Sequence, residues 1–123
     1  MMKSLMQVQF ALQRELFTSI RLLTGGVASV AGLSLDESED CKVCVTESLL
    51  LLSSRGYGEA RISFEKGEGL SVLLTGVGKA EKGETPSEGE EISIALLEAL
   101  VDRLDMQRQN GCLAEISFGF GAK

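Results

Sequence analysis

The chain contains no histidine. That removes the commonest general base near neutral pH, the commonest zinc ligand, and every Ser-His or Cys-His nucleophile pair. Basic residues are also scarce. Twelve Lys and Arg stand against 18 Asp and Glu, a formal net charge of −6, and no run of Lys or Arg makes a stripe that could track phosphates. Nucleic acid and an anionic membrane are therefore not expected as partners. Long apolar runs are missing too: Leu49 to Leu52 is as long as any, far too short to span a bilayer. Only Lys3 is positively charged near the N-terminus, and no apolar stretch with a small-residue cleavage site follows, so no secretory leader is expected. The three cysteines form no disulfide framework, which points to a reducing, cytoplasmic setting.

What is present fits one globular domain over residues 1–123, with 44% hydrophobic and 24% charged residues. Met6, Val8, Phe10 and Leu12 alternate with Gln7, Gln9, Ala11 and Gln13, the period of a half-buried strand. From Arg14 the period lengthens: Leu16, Phe17, Ile20, Leu23, Val27 and Ala31 mark one helix face, interrupted by Gly25-Gly26 and stopped at Gly32. Ser34 and Glu37 have capping-box spacing, opening a second helix that runs to Ser54. Ala60, Ile62 and Phe64, then Leu70, Val72 and Leu74, predict a hairpin turning at Gly67-Glu68-Gly69. Residues 76–90, with the single proline Pro86, read as the one long loop. Ile92, Ala95, Leu96, Ala99, Leu100 and Leu104 give a third helical stripe, and Asn110-Gly111 turns a last hairpin that ends near Phe120. Runs of strands separated by helices imply α+β: a two-layer sandwich of a mixed sheet covered on one face by three helices.

Residues 20–50, IRLLTGGVASVAGLSLDESEDCKVCVTESLL, resemble the first two helices of bacterial anti-sigma-factor serine kinases. That family has the histidine-kinase-like ATPase fold shared with gyrase. The likeness is specific over residues 17–50 and looser from there to the last hairpin, where EALVDRLD resembles the end of the family's third helix.

The resemblance implies three nucleotide-binding boxes, and each is altered here. In the first, a glutamate serves as base and an asparagine four residues later helps hold Mg²⁺. Glu47 matches the glutamate, but Leu51 stands at the asparagine position and offers no oxygen to a hard cation. The second box is aspartate, any residue, glycine, any residue, glycine, and its aspartate accepts from the adenine amino group. Gly76 takes the aspartate position, Gly78 matches the first glycine, and Ala80 replaces the second. The third box, glycine, any residue, glycine, lets backbone amides approach phosphate. Its positions fall on Glu91 and Ser93, and a carboxylate at Glu91 would repel a triphosphate.

These substitutions imply a regulatory protein that is non-catalytic or only weakly nucleotide-binding, acting by protein contact, with no cofactor required. Its partners by resemblance are a sigma factor or an anti-anti-sigma protein of the sulfate-transporter/anti-sigma-antagonist type. The first helix and the 76–90 loop are the first places to look for the contact. A homodimer through the N-terminal strand is expected as well. Two alternatives stand beside this reading. The chain could be an active ATP- and Mg²⁺-dependent serine kinase, with Glu47 as general base and Gly76, Gly78 and Lys79 as an anion nest. It could instead be a small metal or redox protein using Cys41, Cys44 and Cys112, although C-x-x-C inside a helix reads first as buried small apolar residues and no metal is expected.

Overall fold

A computed structural model describes residues 2–80 and 88–121. The order is β1 (Lys3–Ala11), α1 (Arg14–Val30), α2 (Leu35–Ser54), β2 (Glu59–Lys66), β3 (Leu70–Val77), α3 (Glu88–Leu100), β4 (Arg103–Gln109) and β5 (Cys112–Phe120). This is the expected succession of elements. The 76–90 loop is shorter than expected at both ends, because β3 runs through Val77 and α3 starts at Glu88. The rest of that loop, 81–87, lies outside the described residues.

The five strands form one sheet in the order β1-β2-β3-β5-β4. Every pairing is antiparallel, which corrects the expected mixed sheet. The reason lies in the last hairpin. Strand β4 carries Arg103, Asp105, Gln107, Arg108 and Gln109 and suits a sheet edge, whereas β5 is buried along most of its length. The apolar arm therefore inserts beside β3, and it runs against it. Had polar β4 taken that central place, the pair would have been parallel.

Register fixes two faces. Val8, Ile62, Leu74, Ile116 and Met106 form one row across all five strands, and Met6, Phe64, Val72, Phe118 and Leu104 form the next. Phe118 and Phe120 on this face meet edge to face, with ring centroids 5.9 Å apart. The opposite face is polar, with a row Gln9, Arg61, Thr75, Glu115 and Gln107. The helices cover the apolar face. Helix α2 packs on β3 and β5, with α1 and α3 on either side of it, so Leu49, Leu52 and Val45 share one core with Ile62, Phe64 and Ile116.

Local signals explain where the helices start and stop. Ser34 Oγ accepts from the Glu37 amide at 3.1 Å, and Glu37 Oε1 accepts from the Ser34 amide at 2.9 Å, completing the capping box. Gly32 ends the first helical segment at φ +83°, a conformation costly for any residue with a Cβ. Helix α1 passes through Gly25-Gly26 without a break. A Cβ at Gly25 would lie 3.5 Å from the Lys42 side chain, an ordinary contact, so packing against α2 does not demand glycine there.

The third helix departs from expectation in its end and its facing: it stops at Leu100, and Leu104 lies in β4. Ile92 is 59% exposed and Leu96 38%, and Ala95 and Ala99 are exposed too. The buried positions are Glu90, Ser93 and Leu97. The sequence EGEEISIALLEAL is apolar around most of its circumference, so periodicity allows either face inward. The face turned inward packs Ile94, Leu97 and Leu100 on the core and meets polar partners on α2.

Candidate functional site

The expected site lies between the C-terminal half of α2, the start of α3 and the end of β3. Glu47 and Ser93 meet here: Ser93 Oγ donates to Glu47 Oε1 at 2.6 Å. Eight residues further along α2, Arg55 caps the helix and reaches the Glu90 carboxylate. Arg55 Nε donates to Glu90 Oε2 at 3.1 Å, and Nη2 donates to both carboxylate oxygens. Ser54 Oγ also donates to Glu90 and sits 2.7 Å from the Leu51 carbonyl oxygen. Both charged side chains are only 8% exposed.

Helix geometry brings these groups together. With Glu47 beside Ser93 and Arg55 beside Glu90, α2 and α3 run antiparallel, the end of one against the beginning of the other. The guanidinium then lies at the negative end of the α2 dipole and the carboxylate near the positive end of α3. A planar guanidinium matches a carboxylate in two places at once, which fixes both helix ends.

The end of β3 is occupied by an aromatic ring. A Cβ built on Gly76 would lie 2.5 Å from the Tyr57 ring, so no larger residue fits there while the ring stays in place. Tyr57 is 7% exposed, and its hydroxyl donates to the Leu113 carbonyl at 2.9 Å. Burial, with Cys112 nearby, raises the phenol above its ordinary 10.0. Gly78 is glycine for a different reason: its φ is +96°, with open space around it. Leu51 is 2% exposed and belongs to the core.

The proposed site positions thus divide. Glu47 and Ser93 are brought into contact, Leu51 is buried below them, and Gly76 lies under Tyr57. Glu91 points outward and is exposed. The acidic group that enters the cleft is Glu90, one residue earlier. Sequence reasoning missed Arg55, Glu90 and Tyr57. Arg55 gave one signal, standing directly after the helix that carries Glu47. Its buried partner lies 35 residues away, and nothing local points to it.

All three cysteines are buried. Burial, with neighbouring Cys44, pushes the Cys41 thiol up from 9.0 to about 12. Cys44 is likewise pushed to about 12 by burial, with Asp40 and Glu47 adding to the effect. Protonated thiols are poor nucleophiles and poor metal ligands. Among the described residues, no three His, Cys, Asp or Glu side chains converge as a metal-binding group, and no helix is long and apolar enough to cross a membrane.

No protein-family model matches the chain, and no curated protein matches it.

Proposed function

We propose that this protein is a regulatory domain on a histidine-kinase-like ATPase scaffold that no longer turns over ATP and works by contact with other proteins. The observation that carries the reading is the filled cleft. Arg55, Glu90 and Ser54 close the gap between α2 and α3, and the Tyr57 ring covers Gly76 where the family's adenine-binding aspartate would stand. Opening the cleft for a triphosphate would separate this buried ion pair and break the Ser54–Glu90 hydrogen bond. A sigma factor or an anti-anti-sigma protein is the proposed partner, on the resemblance over residues 17–50.

A thermal shift with millimolar Mg-ATP tests this. A ligand at about 100 times its Kd would stabilise the fold by about 2.7 kcal/mol, a rise of roughly 10 °C for a domain of this size. The proposal expects the melting temperature to stay unchanged. A rise of several degrees would favour the active serine kinase instead.

A homodimer through β1 belongs to the same proposal. Among the described residues β1 pairs only with β2, so its outer edge carries unpaired backbone groups. Beside that edge an apolar groove of about 280 Å³ is lined by Leu5, Met6, Leu23, Gly26, Val27 and Val30. A two-fold pairing of β1 strands would satisfy the edge and cover the groove.

A further inference from the structure

Helix α3 carries an apolar stripe on each side. Its inner face packs Ile94, Leu97 and Leu100 on the core beside Glu90 and Ser93, and its outer face holds Ile92, Ala95, Leu96 and Ala99 at i, i+3, i+4 and i+7. That spacing makes a continuous apolar stripe. Rotating the helix to bury the stripe would break the Arg55–Glu90 pair and the Ser93–Glu47 bond, so the outward presentation is held in place by α2. Ile92 is 59% exposed, and Leu96 keeps 38% of its surface in solvent although the rest of its side chain is covered. The small side chains of Ala95 and Ala99 would let a facing helix approach closely.

Charge identifies what would face it. Glu91 and Glu98, seven residues apart, fall along one margin of the stripe, and both are exposed. Neither has an ion-pair partner among the described residues. Helix α3 contains no Lys or Arg to offset them. A second copy packed antiparallel by two-fold symmetry would set Glu91 opposite its partner's acidic margin, which repels. An anionic lipid surface is repelled as well, by these carboxylates and by the net charge of −6. We propose that the outward face of α3 docks a cationic amphipathic helix of another protein, its apolar stripe against Ile92 and Leu96 and its Lys or Arg against Glu91 and Glu98. This assignment rests on the face alone and needs no nucleotide and no family membership.

The test uses the full chain, ¹⁵N-labelled, titrated with a synthetic amphipathic helix of Leu and Lys and with its Leu/Glu counterpart. The Leu/Lys peptide should give saturable shifts centred on Ile92, Ala95, Leu96 and Ala99, and the Leu/Glu peptide none. Ile92→Ser should weaken binding about tenfold or more while leaving the melting temperature nearly unchanged, since that side chain is mostly in solvent. Glu91→Lys with Glu98→Lys should also weaken it and flatten its dependence on salt. Shifts spread over other surfaces, equal binding of both peptides, or unaltered binding by the serine variant would overturn the assignment. So would a self-association that the serine variant abolishes, because a second copy would then be the occupant. None of these outcomes depends on whether Mg-ATP binds.

Discussion

Arg55 and Glu90 are the residues on which the cleft depends most. A buried pair contributes little over an apolar replacement, but losing one partner strands the other charge away from water. Arg55→Met alone and Glu90→Leu alone should each destabilise the fold by about 3–5 kcal/mol in urea denaturation, and the double variant by distinctly less. Additive losses would show that the two do not act as a pair. Gly76 makes a second prediction. Gly76→Ala should cost about 1–3 kcal/mol by overpacking Tyr57, and replacing Tyr57 with leucine should relieve most of that cost. The thiols supply a pH dependence. Cys41 and Cys44 titrate near 9.0 in the unfolded chain and near 12 in the folded one, so the folded state holds these protons more tightly. Their contribution to stability is complete below about pH 9 and is lost as the pH rises from there towards 12. Denaturation midpoints that fall over that window, and fall less in a Cys41→Ala/Cys44→Ala variant, are the expected result.

Among the elements, α2 and α3 carry contrasting lessons. Ser34→Ala should remove the capping box and cost about 1 kcal/mol, measured by thermal denaturation. That cap was legible because Ser34 and Glu37 are three residues apart and act on each other directly. The hairpin turn at Asn110-Gly111 was legible for the same reason, and both residues do have positive φ, 54° and 80°. The facing of α3 was not legible. Its sequence offers two nearly equivalent apolar stripes, and the one turned inward also places Glu90 and Ser93 against Arg55 and Glu47 on another helix. The sheet shows the same divide. Alternation in β1, β2 and β3 predicted which side chains share a face, while the direction of β5 against β3 depended on which arm of the last hairpin tolerates an edge.

For the whole molecule, the succession of elements, the three-helix layer and the polar outer sheet face follow from patterns read over short windows. The candidate site does not, because its closure depends on contacts between residues 35 and 19 or more positions apart, such as Arg55 with Glu90 and Tyr57 with Gly76. Glu47 and Ser93 could be marked as positions by resemblance, yet their mutual hydrogen bond required the helices to be in place. The outer edge of β1 allows a prediction about assembly. Sedimentation should show a dimer that a charge placed at Met6 dissociates, since a charge opposes burial of the groove.

The central claim is that the cleft between α2 and α3 is closed to nucleotide by the protein's own side chains. Titrating ¹⁵N-labelled protein with Mg-ATP into the millimolar range tests it at the residues concerned. The account predicts that the amides of Glu47, Leu51, Gly76, Gly78 and Ser93 stay where they are. Saturable shifts at these positions, with loss of the Arg55–Glu90 contact, would contradict it.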